Sequence, residues 1–218
     1  MDFRTFQGRS LQRPSVDADD LQEDSTGFKG EFDLESVSMS DVSQPGVVGE
    51  GSLARSVVTR VNLGESRLGP LVLADVRTED VDLSNAHLDF ETIRRVEVIR
   101  SRAVGVRLRA GEVSDLSVEE SRLDYASLHF ERVRTLVVFR DCSLREATFT
   151  GDLSNVLFLD SDLTDAEFDA RAARGLDLRT CRLDGVKGWR TLRGATVSAD
   201  QAVSVATLLA TEIGLTVD

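Results

Sequence analysis

The 218-residue sequence predicts an all-β solenoid of about seven 20-residue coils closed by a C-terminal helix. Three observations carry that prediction. Apolar residues recur every five positions: Leu53, Val58, Leu63, Leu68 and Leu73, then Leu83, Leu88, Ile93 and Val98 in the same phase. This spacing fits neither the 3.6-residue period of a helix nor the two-residue period of an ordinary strand. It places one inward residue on each side of a chain that turns a corner every five residues. Rows of twenty then align: GSLARSVVTRVNLGESRLGP at 51–70, LVLADVRTEDVDLSNAHLDF at 71–90 and GDLSNVLFLDSDLTDAEFDA at 151–170. From Leu53 to Gly188 the centre of 28 successive sides is apolar in 26, Thr78 and Gly188 being the exceptions. Finally, the residue two before each centre is mostly small, as at Ser56, Ser66, Ala86, Ser101, Ser121, Ala126, Ala147 and Ala166. Large beside small fills a narrow square tube.

The segments follow in order. Residues 1–30 form an acidic N-terminal extension. They lack the apolar run of a secretory signal. The stretch DADDLQEDSTGFKGEFDLE reads as a solvated acidic tail, the alternative being a strap that docks on the rod. Residues 31–190 form the β-helix. Within it, 31–50 are a degenerate first coil with Leu34 and Met39 inward, and Gln44-Pro45-Gly46 turns it onto the regular coils of 51–190. The five-residue phase slips once. Val133 to Phe139 is one residue too long, and Phe149 to Leu153 is one too short. This predicts a bulge near Arg134–Thr135 and a tightened corner near Thr150–Gly151. In residues 191–218, Ser198-Ala199-Asp200-Gln201 is a capping-box pattern. Ala202, Val205, Ala206, Leu208, Leu209 and Ile213 follow at helical spacing, and Gly214 ends the helix. Leu215-Thr216-Val217 reads as a short final strand. Val205, Leu208, Leu209 and Ile213 are the residues by which this helix caps the last coil or pairs with a second copy.

The segments SNAHL, SRLDYASL, CSLREATF and SDLTDAEF resemble the pentapeptide-repeat proteins, whose consensus is a small residue, Asp or Asn, Leu or Phe, then two polar residues. The resemblance spans about residues 51–190. It implies a right-handed quadrilateral parallel β-helix. It also brings in the quinolone-resistance members, acidic rods that bind DNA gyrase or topoisomerase IV in place of DNA, and members that dimerise through C-terminal helices.

Stacked coils rise about 4.8 Å each, so residues one coil apart stand in columns. Val61, Val81, Ser101, Ser121, Cys142, Ser161 and Cys181 form one inward column. Its two cysteines lie two coils apart, too far for a disulfide, and read as structural thiols in a reducing, cytoplasmic setting. Gly51, Leu71, Glu91, Gly111, Glu131, Gly151 and Arg171 form an irregular column. A buried unpaired charge there would cost several kcal/mol, which predicts a distorted corner with Glu91, Glu131 and Arg171 reaching solvent or partners.

The net charge is −12, which argues against direct nucleic-acid binding. Residues 1–50 hold 11 acids and 4 bases, whereas 51–190 hold 24 and 21. Mixed signs on adjacent coils predict lateral ion pairs. No run is apolar enough to span a membrane. His87 and His129 lie outward and two coils apart, so they share neither a metal nor a triad. Trp189 and Tyr125 make no platform for stacking bases. With no Walker loop, GxGxxG or HExxH, the chain reads as a non-enzyme without cofactor. Its expected role is a rigid protein–protein interaction or scaffold module. The alternative is a DNA mimic that binds a type II topoisomerase. Candidate partner-binding residues are Asp160, Asp162, Asp165, Glu167 and Asp169, from the one coil without a base, with Glu119, Glu120, Glu91 and Glu131.

Overall fold

Corners set the shape of this chain. In the computed structural model, which describes residues 2–216, three corners of each of the four coils over 51–130 place one residue in the left-handed region. These are Arg55, Arg60 and Glu65, then Asp75, Asp80 and Asn85, then Arg95, Arg100 and Gly105, then Asp115, Glu120 and Tyr125, with φ between 47° and 68°. Asp75, Asp80, Asn85, Gly105 and Asp115 are residue types that tolerate this conformation best, and the other seven are held in it by the coil. Several corners are also prepared by the preceding Asp or Asn. Asn62 Oδ1 accepts from Gly64 N at 3.0 Å and Asp82 Oδ1 from Ser84 N at 2.8 Å. Asp162 Oδ1 accepts from Thr164 N at 3.0 Å. These are Asx turns.

Between corners lie short extended sides, and these stack into one parallel ladder. The chain begins with β1 (Phe3–Phe6) and β2 (Arg9–Gln12), an antiparallel hairpin. Then come β3 (Gln22–Glu23), β4 (Gly30–Glu35), β5 (Val37–Ser40), β6 (Val48–Thr59), β7 (Arg67–Glu79), β8 (His87–Ile99) and β9 (Arg107–Glu119). The second half contains β10 (Ser127–Val133), β11 (Val137–Arg140), β12 (Thr148–Asp152), β13 (Val156–Leu159) and β14 (Glu167–Ala172), followed by α1 (Ala199–Glu212). From β3 to β14 every strand pairs in parallel with the strand one coil away. The result is a parallel β-solenoid of about seven 20-residue turns with a single C-terminal helix. Leu34 and Met39 of the first coil are buried.

The register locates the slip. Val133 pairs with Val113, but Val137 pairs with Leu116, so the extra residue lies between Val133 and Val137. It is removed between Gly151 and Val156, since Phe130 pairs with Gly151 and Val137 with Val156. The shortened corner therefore sits just after the Thr150–Gly151 position read from the sequence.

The irregular corner has a steric cause. A Cβ on Gly51 would lie 1.8 Å from Phe32 O, one on Gly151 2.2 Å from Phe130 O, and one on Gly111 2.8 Å from Glu91 O. At these three glycines the coil passes directly over a carbonyl of the coil before, whereas Leu71 of the same column is buried in the core. The ladder shifts register between Gly49 and Gly51 and between Leu68 and Val72. Glu91, Glu131 and Arg171 are exposed.

The inward column of small residues is a ladder of its own. Val81 N donates to Ser101 Oγ at 3.2 Å and Ser101 N to Ser121 Oγ at 2.9 Å. Cys142 N donates to Ser161 Oγ at 3.1 Å. Cys142 occupies a hydroxyl's place, with its thiol 3.3 Å from Arg140 O. Both cysteines are buried and free, and burial pushes each thiol up to about 12.

The C-terminal end follows the capping box. Ser198 Oγ accepts from Gln201 N at 3.1 Å, and Ser198 N donates to Gln201 Oε1 at 2.8 Å. Leu215 and Thr216 form no strand, which corrects the expected final strand; Val217 lies outside the described residues. The last strand of the ladder is β14, and among the described residues no bridge involves Leu215 or Thr216. No helix among the described residues is long and apolar enough to cross a membrane.

Candidate protein-interaction surfaces

The N-terminal hairpin determines which face of the rod is open. The solvated-tail reading fails for residues 2–15, which lie along the rod as a strap. Ser15 N donates to Asp75 Oδ1 at 2.9 Å and Gln12 N to Asp115 Oδ1 at 3.2 Å. Arg9 donates to Asn155 Oδ1 at 2.6 Å and to Gly175 O at 2.8 Å. These contacts reach from the coil of Asp75 to the coil of Gly175.

Two kinds of residue hold the strap. Phe6 and Leu11 bury themselves against Leu136, Val138, Leu157 and Leu159, a small core outside the tube. Around it, Arg13 Nε pairs with Glu97 at 2.8 Å, and Arg4 reaches Glu119 Oε2 at 2.9 Å. Arg140 closes on Glu119 from the rod side and stands over the Phe6 ring at 6.0 Å. Glu97 is 1% exposed and Glu119 3%. Carboxylates so buried require paired cations, and the hairpin supplies them. The Glu97 bond raises Arg13 above the ordinary guanidinium value. Burial raises the Asp75 carboxyl, but bonds from Arg95 and Ser15 N outweigh it and leave the group below its usual range.

A sequence signal for this strap exists. LVVF at 136–139 and VLFL at 156–159 are continuous apolar runs. A strand with one wet face alternates, whereas a strand covered on both faces does not. Leu136, Val138, Leu157 and Leu159 are the outward residues that the five-residue pattern leaves unexplained.

The nominated acids divide by environment. Glu119 lies beneath the hairpin and faces no solvent, because Arg4 and Arg140 occupy both its oxygens; its neighbour Glu120 is exposed. Glu131 accepts from Arg109 at 2.7 Å. Glu91 lines a shallow groove with Glu31, Asp33 and Glu50. Asp162 is half-buried and holds a corner through Thr164. Asp160, Asp165, Glu167 and Asp169 are exposed, and none has an ion-pair partner among the described residues. Elsewhere acids meet arginines of the next coil, as Asp41 does Arg60 at 2.6 Å, Asp89 does Arg109 at 3.1 Å and Glu112 does Arg134 at 2.8 Å. The histidines are likewise occupied singly. His87 meets Arg107 at 2.9 Å and His129 meets Thr150 at 2.8 Å.

The helix α1 covers the end of the rod with one side. Gln201 Nε2 donates to Leu178 O at 2.9 Å and Cys181 O at 2.8 Å. Trp189 is buried, its N–H donating to Val186 O at 2.9 Å while its backbone N–H meets Glu212 at 3.1 Å. Val205 and Leu208 pack against the core. Leu209 is 36% and Ile213 54% exposed, and Val203, in the first half of the helix, is 75% exposed. The four nominated residues thus split into two that cap and two that face outward.

No family model matches the sequence, and no curated protein matches it. Solved structures do. A trypsin-treated variant of QnrB1, a plasmid-mediated fluoroquinolone resistance protein, is 22% identical over 91% of this chain and 96% of its own, with a TM-score of 0.45. Full-length QnrB1 is 18% identical over 89% and 96%, with a TM-score of 0.43. HetL, a pentapeptide repeat protein involved in heterocyst differentiation regulation from the cyanobacterium Nostoc sp. strain PCC 7120, is 16% identical over 78% and 89%, with a TM-score of 0.34. On the geometry of its own coil, with five-residue sides, an inward Leu, Val or Phe at each centre and a small residue two before it, this chain is a parallel β-solenoid that resembles the pentapeptide-repeat proteins.

Proposed function

We propose that this chain is a non-catalytic interaction module that presents an acidic ladder to a basic protein surface. One observation carries the reading. Asp160, Asp165, Glu167 and Asp169 are exposed on a single coil that contains no base and have no ion-pair partner among the described residues, whereas twelve of the other twenty acids of residues 51–190 form ion pairs. The ladder fixes their spacing before any partner arrives, which lowers the ordering cost of association. The test is capture with the purified full chain at low and high salt, compared with a variant carrying Asp160→Asn, Asp165→Asn, Glu167→Gln and Asp169→Asn. A protein retained by the wild type, released by salt and not retained by the variant supports the reading. An identical set on both columns overturns it.

The same acids favour a second reading, in which the partner is a type II topoisomerase and the coil stands in for DNA phosphates. QnrB1 is a fluoroquinolone resistance protein. A gyrase supercoiling assay with and without a fluoroquinolone decides: inhibition or drug protection that weakens with salt, and is lost in the four-acid variant, identifies this partner. The outward residues Leu209 and Ile213 suit a second copy of the chain. Light scattering at micromolar concentration should read a dimer that Leu209→Asp with Ile213→Asp returns to monomer.

A further inference from the structure

The two halves of the rod are filled differently along the same columns. One inward column runs Val58, Thr78, Val98, Val118, Phe139, Phe158. A neighbouring column runs Leu68, Leu88, Leu108, Leu128, Phe149, Phe168. In the C-terminal half the rings interlock. Phe139 stacks on Phe158 at 5.1 Å, Phe149 on Phe168 at 5.2 Å, and Phe149 meets Phe158 edge-on at 5.0 Å. Phe149, Leu153, Phe158 and Leu163 have no exposure at all.

Aliphatic residues and Thr78 hold the same places in the N-terminal half, and they leave an internal cavity of about 140 Å³ with an almost wholly apolar wall. It reaches from Phe28 and Phe32 at the N-terminal end to Leu123. Leu73, Leu83, Val98 and Leu108 belong to the inward pattern yet keep partial accessibility, and all four line this cavity. Protein interiors rarely hold a void larger than a water molecule. An apolar one near this size stays dry and accepts apolar guests. This one is also long. It passes through about five coils, or roughly 20 Å at one strand spacing per coil.

We propose that the cavity is a binding site for an unbranched apolar ligand, an n-alkyl chain rather than a ring. Its volume is spread thinly along the rod axis, so one file of methylenes fits where a cyclic hydrocarbon does not. Phe28 and Phe32, edge-to-face at 5.4 Å, close the N-terminal end. They belong to the outermost coil, where opening breaks the fewest ladder bonds, and they form the entrance.

The test uses the full chain. Thermal unfolding is followed with n-hexane or cyclohexane near aqueous saturation, and bound gas is read from the ¹²⁹Xe resonance under xenon pressure. Hexane should raise Tm by about 2–4 °C, the shift expected when a domain of this size gains about 1 kcal/mol from a ligand. Cyclohexane should leave Tm unchanged, and a bound-xenon shift should appear. Val98→Phe extends the phenylalanine column into the cavity and should abolish both responses. If that variant does not fold, Leu108→Phe tests the neighbouring column, and the xenon signal of the wild type stands alone. Absence of both the hexane and xenon responses, equal response to hexane and cyclohexane, or a hexane effect that survives Val98→Phe overturns the proposal.

Discussion

Leu11→Ala should detach the strap and leave the rod intact. Leu11 has no exposed surface and packs with Phe6 on Leu136, Val138, Leu157 and Leu159. Truncating a buried leucine costs roughly 2–5 kcal/mol. A two-stranded hairpin has little stability of its own in water, so that loss falls on docking rather than on global unfolding. At about 1.4 kcal/mol per tenfold, the amides of β1 and β2 should exchange with solvent roughly 30- to 4,000-fold faster. Amides of the tube wall, such as Val113 and Leu144, should be unchanged. Native-state hydrogen exchange reads both sets in one experiment. If rod amides lose protection in parallel, the hairpin is part of a single cooperative unit. If hairpin amides keep their protection, the six-residue apolar cluster is not what holds it.

Other consequences follow from burial and charge. Cys142 and Cys181, with thiols pushed up to about 12 by burial, should be inert to an aromatic disulfide at pH 8 in the native protein and react fully in denaturant; rapid native labelling of either would contradict their place in the inward ladder. Asp75 and Asp124 both titrate below their usual range, each because bonds to the charged form outweigh burial. The stability they contribute is present above about pH 4 and is lost as pH falls through the depressed folded values, so strap amides near Ser15 should lose protection as the pH is lowered below about 4, and unchanged protection there would contradict the Asp75 contact. Gly51→Ala places a Cβ 1.8 Å from Phe32 O at a φ of 146° and should lower stability by at least about 2 kcal/mol in chemical denaturation; a neutral effect would show that the corner is looser than its geometry indicates.

The regular coils were legible because the constraint repeats. Each side must turn one apolar residue inward, as Leu63, Leu83 and Leu123 do, and each column must stack on its neighbour. The slip at Val133 and the uneven glycine column were legible for the same reason, since a departure from a strict period marks a local distortion. The capping box at Ser198 needs only four consecutive residues. What the sequence concealed was non-local. Phe6 and Leu11 are two apolar residues in an acidic extension, and nothing in that extension says that their partners lie more than a hundred residues away. Glu119 shows the limit for the candidate surface. Its side chain belongs to an outward column and reads as exposed, but its burial depends on Arg4 and Arg140, which only the docked hairpin brings together. Asp162 shows another: the same residue type serves as a surface charge or as the acceptor of an Asx turn, and its position in the side decides which. The acids of 151–170 stand out in the sequence because their coil contains no arginine, but that they stay unpaired beside the arginines of the coils on either side is visible only in the fold.

The account rests on side chains standing in fixed columns, one coil apart. Thr92, Glu112 and Arg132 are successive Cα partners in one outward column of β8, β9 and β10. In a background of Cys142→Ser and Cys181→Ser, tolerated because Ser121 and Ser161 already occupy that inward column, Thr92→Cys with Glu112→Cys brings two thiols to one strand spacing, about 4.8 Å between Cα atoms. That pair should oxidise completely without loss of the native circular-dichroism spectrum. Thr92→Cys with Arg132→Cys, two coils apart, should remain reduced. Efficient bridging of the second pair, or failure of the first in a folded protein, would contradict the register on which every surface described above depends.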